Sequence, residues 1–167
     1  ILTYHGHANN GLVLWVDWSP DGKMIASSSG GQQSDAIVKI WDAATGRPIF
    51  TYTAHIGSGG SGSLPHNNAF AARVGNAGRT LFGAMLPQTH LGGSGIGVFR
   101  VVWSPDGMNL ISAGGSPDFV IKLWNLQTGN TLYTFSGHTS LVVGLSWAPY
   151  GTRFASASSD GTAQVWQ

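Results

Sequence analysis

Three stretches of the chain alternate apolar and polar positions and close on tryptophan: Leu14, Val16, Trp18; Phe99, Val101, Trp103; and Val143, Leu145, Trp147. A period of two marks a strand with one buried face. Each stretch runs into a tight turn, Ser-Pro-Asp-Gly at 19–22 and 104–107 and Ala-Pro-Tyr-Gly at 148–151. Proline presets φ, aspartate bonds nearby backbone, and glycine accepts the positive φ that closes a hairpin. A second strand follows, with a serine five residues past each turn glycine: Ser27, Ser112 and Ser156. The third strand is apolar-polar-apolar-Trp, with an aspartate at one fixed distance before the tryptophan: Asp35 and Trp41, Asp118 and Trp124, Asp160 and Trp166. After turns ending Thr45-Gly46 and Thr128-Gly129, a fourth strand is predicted at Ile49 to Tyr52 and at Leu132 to Phe135.

Recurrence at a fixed period makes the chain a stack of near-copies of one small antiparallel sheet, the layout of a propeller blade. Composition agrees with an all-β fold. Glycine fills 25 of 167 positions and only 9% of residues are charged, which suits short strands and tight turns better than amphipathic helices. With Gly6-His7 and Gly137-His138 before first strands and Trp41-Asp42 closing a third, the units resemble WD40 repeats. Trp124-Asn125 and Trp166-Gln167 depart at the second letter. The resemblance covers roughly three quarters of the chain. It implies WD40-type β-propeller blades of four antiparallel strands, three clear blades plus one degenerate unit. Blades are expected at about 6–54, 97–136 and 138–167. The chain opens with a fourth-type strand (Ile1 to Tyr4) and closes with a third-type strand (Thr162 to Trp166), so strand 1–5 is expected to complete the last blade and hide two sheet edges.

Residues 56–96 admit two readings. Trp41 to Trp124 is 83 residues and Trp124 to Trp166 is 42, which leaves room for one more unit. Val74 to Gly83 lies in register with Trp18 to Ser27, as a degenerate blade that kept its first two strands would. The other reading is an inserted segment, because 57–63 and 92–95 have the composition of flexible linkers. Three blades and a degenerate fourth fall short of the roughly seven of this family. The ring is therefore expected to close as a head-to-tail homo-oligomer, as the remainder of a longer propeller, or as an unusually small ring.

The resemblance also implies jobs for the polar landmarks. His138, Ser156, Asp160 and Trp166 match a structural tetrad in which histidine lies between the aspartate and the serine, and the indole N–H meets the serine hydroxyl. The first blade repeats it with His7, Ser27, Asp35 and Trp41. The second has Ser112, Asp118 and Trp124, with His90 the nearest candidate histidine. His7, His55 and His138 occupy the loop position that the repeat reserves for histidine.

Other chemistries fare poorly. His138, Ser156 and Asp160 are the residue types of a hydrolytic triad, but the set recurs with the repeat and lacks the Gly-x-Ser-x-Gly elbow. There is no glutamate, and Asp17 alone has no task in a turn, a tetrad or the Trp-Asp signature, so paired-carboxylate chemistry lacks a second member. A metal site would draw on His5, His7, His66 or His90; without cysteine, thiolate ligands and disulfides are absent. No cofactor motif is present. A net charge of +1 makes no electrostatic case for nucleic acid or an anionic membrane surface. No apolar run is long enough to span a bilayer and no signal-peptide pattern opens the chain, so a cytoplasmic location is expected.

Length variation is confined to one edge of the blades, in the loops before first strands and between second and third strands. Loops free to vary on a rigid scaffold are where recognition resides. The expected interaction face comprises Trp15, Asp17, Arg73, Arg100, Gln32 and Gln33. The function expected is a non-catalytic scaffold for protein or peptide partners. The alternatives are an engineered propeller displaying segment 64–91, or a histidine-based metal or hydrolytic site.

Overall fold

The computed structural model describes residues 1–7, 12–30, 36–53, 55, 97–115 and 118–167. Asp35, Gln32, Gln33, His66, Arg73 and His90 lie outside the described residues, as does the whole of 56–96. Every regular element described is a strand. β1 (Leu12–Trp18), β2 (Met24–Gly30), β3 (Val38–Asp42) and β4 (Pro48–Tyr52) form one four-stranded antiparallel sheet in chain order. β5 (Val98–Trp103), β6 (Asn109–Gly114), β7 (Ile121–Asn125) and β8 (Thr131–Phe135) form the second. β9 (Val142–Trp147), β10 (Phe154–Ser158) and β11 (Ala163–Trp166) form a three-stranded third.

The hairpins close as their residues dictate. Gly22, Gly107 and Gly151 adopt φ of +70°, +72° and +73°, open to glycine and costly to residues with a Cβ. Ser19 Oγ donates to Asp21 and accepts the Met24 N–H, and Ser104 does the same with Asp106 and Asn109. The third turn has neither side chain and closes on backbone alone, from Gly151 N–H to Ala148 C=O and from Ala148 N–H to Arg153 C=O. The drift from Trp-Asp to Trp-Asn is harmless for a visible reason. Asp42 Oδ1 accepts the Thr45 amide and hydroxyl, and Asn125 Oδ1 accepts those of Thr128.

The sheets stack face to face. Met24, Ala26, Val38, Ile40 and Tyr52 of the first pack against Val98, Val101, Trp103, Leu110 and Trp124 of the second. Ile111, Ala113 and Ile121 of the second pack against Val142 and Phe154 of the third. Consecutive turns nest as well, with Pro20 against Gly107 and Pro105 against Gly151. Gly30 and Gly97 form a bridge between the first two sheets, so the sheets flanking 56–96 in the chain rest directly on one another.

The stack stays open at both ends. Val16 and Trp18 are 54% and 56% exposed, whereas Val101 and Trp103, at the same positions of the second sheet, are 0% and 4% exposed under the first. At the far end Val165 is 71% exposed, whereas its counterpart Ile40 is 2% exposed beneath the second sheet. Within one chain, strand 1–5 does not complete the last blade. Residues 1–6 form no strand, and among the described residues nothing pairs with the outer edge of β11. The opening segment instead lies on the first sheet: Leu2 covers Gly46 as Phe50 covers Gly129, and Tyr4 stacks on Trp41 as Tyr52 stacks on Trp124. It thus takes the position of a preceding blade's outer strand, without a sheet to belong to.

Candidate functional site

Two sets of polar residues demand an account: the repeated His-Ser-Asp-Trp sets, and the first-strand residues beside the variable loops. In the third sheet the network is complete. His138 Nδ1 lies 2.8 Å from Asp160 Oδ2 and its Nε2 lies 2.7 Å from Ser156 Oγ, which also accepts the Trp166 indole N–H at 2.8 Å. For a neutral imidazole one tautomer satisfies every group: Nδ1 donates to the carboxylate and Nε2 accepts the serine proton. Asp160 is further held by the Thr162 hydroxyl and the Thr139 amide, and these bonds, led by Thr162, keep its carboxyl far below the ordinary carboxylate range.

The first sheet repeats the arrangement, with Ser27 Oγ 2.7 Å from His7 Nε2 and accepting the Trp41 indole at 3.2 Å. Asp35 is outside the described residues. In the second sheet the histidine is His55, not His90: His55 Nε2 sits 2.9 Å from Ser112 Oγ, and its Nδ1 lies 3.6 Å from Asp118 Oδ2. The spacing from the fourth strand marks it, since Tyr4 and His7, Tyr52 and His55, and Phe135 and His138 are each three residues apart. Trp124 is fully buried, but its indole N–H has no acceptor among the described residues. The second and third sets lie between sheets and the first lies between its sheet and the opening segment; each serine is held by an imidazole and two of them also by an indole. All three serines are buried.

Asp17 differs from its expected place on an exposed face. It is buried at the seam between the first two sheets, where Oδ2 accepts the Trp103 backbone N–H at 2.9 Å. Burial raises its carboxyl from 3.8 to about 6, against the opposing pull of the Trp103 and Trp18 amides. Trp15 and Arg100 do come together across that seam. The guanidinium lies 4.1 Å above the Trp15 ring, and its Nη1 donates to the Phe99 carbonyl at 2.8 Å. The strands explain the meeting, since both carry a β-bulge just before the residue in question, between Val13 and Trp15 and between Val98 and Arg100. A bulge re-aims the side chain that follows it. Phe119, in the connection between β6 and β7, takes φ +46°, a left-handed conformation that a bulky side chain rarely adopts. Sequence alone carried no sign of that strain.

The model of the WD domain, G-beta repeat, matches residues 1–42, 86–125 and 129–167. The chain belongs to the WD40 repeat family. The third WD40 match spans β8 and then β9 to β11, so the recurring sequence unit straddles two sheets. Among curated WD40-type relatives, the chain is 32% identical to the periodic tryptophan protein 2 homolog of Dictyostelium discoideum over 99% of its own length and 18% of that protein's. It is 28% identical to Elongator complex protein 2 of Schizosaccharomyces pombe over 92% of its own length and 17% of that protein's. It is 29% identical to cell division cycle 20.6, cofactor of APC complex, of Arabidopsis thaliana, over 99% of its own length and 40% of that protein's. The chain therefore spans well under half the length of these relatives.

Proposed function

We propose that this WD40 chain is a non-catalytic scaffold that binds proteins or peptides through its variable-loop edge. The observation that carries it is the employment of the repeated polar residues in buried bonds, in two sheet seams and beneath the opening segment, which leaves the loop edge and the adjoining first strands as the surface free to differ from blade to blade. Names among the relatives support the same class, since one is a complex subunit and another a cofactor of a complex. In this role the open end faces are covered by further blades, from a second copy or from the rest of a longer chain; sedimentation at rising concentration separates the two. We read 56–96 as an insertion in the edge loop, supported by the direct packing of the sheets on either side.

Selecting ligands from a displayed peptide library and locating them by photo-crosslinking tests this reading. Crosslinks are expected at the loops before first strands and between second and third strands, and to persist in a chain lacking Ser58 to Ser94. Crosslinks confined to the 19–22, 104–107 and 148–151 turns would sink it.

A further inference from the structure

Among the described residues, Arg100 is a charged group with much of its hydrogen-bonding capacity unspent. One N–H is committed to the Phe99 carbonyl and the guanidinium carbon sits 4.1 Å over the Trp15 ring. The group is half-buried, and that burial works against its charge. Yet among the described residues no carboxylate meets it: both acid–base contacts found there pair an aspartate with a histidine, His55 with Asp118 and His138 with Asp160. Asp17, the acid on the neighbouring strand, has given an oxygen to the Trp103 amide. A desolvated cation without a counter-charge is costly, and an arginine fork holds four further N–H donors.

The surroundings are those of a receptor. The Trp15 ring and the Phe99 carbonyl hold the guanidinium in place before any ligand arrives, which lowers the ordering cost of binding. β1, β5 and β9 are each the edge strand of their sheet, and all three bulge at the same point. At the position equivalent to Trp15 and Arg100, β9 carries Gly144, which contributes no side chain. Arg100 is two residues inside the strand's start, next to the loop edge where 56–96 enters and Phe119 is strained.

We propose that Arg100, laid on the Trp15 indole, receives an acidic side chain of the protein or peptide partner. The inference rests on the scaffold reading and adds the chemistry of the ligand. A carboxylate is favoured over a phosphate because a single planar fork matches one carboxylate in bidentate fashion, whereas phosphate recognition draws on clusters of arginine.

The test uses the whole chain and labelled octapeptides of glutamate, glutamine and phosphoserine, followed by fluorescence anisotropy at low salt. Octaglutamate is expected to bind at least about tenfold more tightly than octaglutamine, and Arg100→Gln to remove that preference. Arg100→Lys keeps the charge and loses the fork, so it is expected to restore only part of the binding; its unfolding midpoint shows that the fold survives. Octaglutamate binding that is absent, or indifferent to Arg100→Gln, overturns the proposal. So does a phosphoserine peptide bound about tenfold more tightly and lost in the same variant, since the ligand would then be phosphate. None of these outcomes moves library-selected crosslinks off the loop edge, so the scaffold reading fails or survives separately.

Discussion

Replacing Trp124, the largest fully buried side chain among the described residues, with alanine is expected to cost about 3 to 5 kcal/mol of unfolding free energy. The indole is fully buried between the first two sheets, with Tyr52 stacked on it at 3.8 Å between ring centres and Phe50 at 6.1 Å. Removing it leaves a cavity that two stiff sheets cannot close without breaking their own ladders. The Tyr52 hydroxyl, bonded to Thr131, would hold that edge in place and keep the void open. Because the Trp124 N–H has no acceptor among the described residues, Trp124→Phe forfeits volume alone. Trp166→Phe also forfeits the bond to Ser156. Urea unfolding of the three variants gives the order directly, and a Trp124→Ala cost under about 1 kcal/mol would mean that this seam does not hold the stack together.

Asp17→Asn is expected to stabilise the chain at neutral pH, an unusual sign for a change at a buried, hydrogen-bonded position. The folded carboxyl is raised from 3.8 to about 6, so between these values the folded state holds more of the proton than the unfolded state does. Stability contributed by the protonated acid is complete below the unfolded value and is lost as pH rises through about 6. The loss amounts to about 2 to 3 kcal/mol. Asparagine keeps an oxygen for the Trp103 N–H and has no charge to bury. The difference in unfolding free energy between Asp17→Asn and wild type should therefore grow by about 2 to 3 kcal/mol from pH 4 to pH 7. A difference that stays flat across that range would show that the carboxylate is not desolvated at the seam.

Much of the architecture is legible in the chain because a repeat reports its own geometry. The alternation ending in Trp18, Trp103 and Trp147, the turn glycines and the Asp-to-Trp spacing set strand order, hairpin positions and the faces turned toward the seams. What was not legible depends on neighbours. Asp17 shares the alternation of a solvent-facing position, and only the seating of the second sheet reveals that β5 buries it. His55 stands 43 residues from Val98 in sequence, so distance along the chain pointed to His90; contact follows the fourth strand, and the three-residue step from Tyr52 was the better guide. The opening segment depends on a neighbour too. Ile1 to Tyr4 has a strand's pattern, but a strand needs a ladder partner, and β11 does not meet it. The Trp15–Arg100 pair required the two bulges, which no residue type announces.

On the proposed scaffold reading, the recurring serines, histidines, aspartates and tryptophans hold the stack together and perform no chemistry. Unfolding free energies of Ser27→Ala, Ser112→Ala and Ser156→Ala, measured beside binding of a library-selected peptide, test it most directly. Each serine is buried with an imidazole against it, so each replacement is expected to cost about 1 to 3 kcal/mol while peptide affinity stays within about twofold. A serine whose loss leaves stability untouched and abolishes binding, or a hydrolytic activity that vanishes with one serine alone, would contradict it.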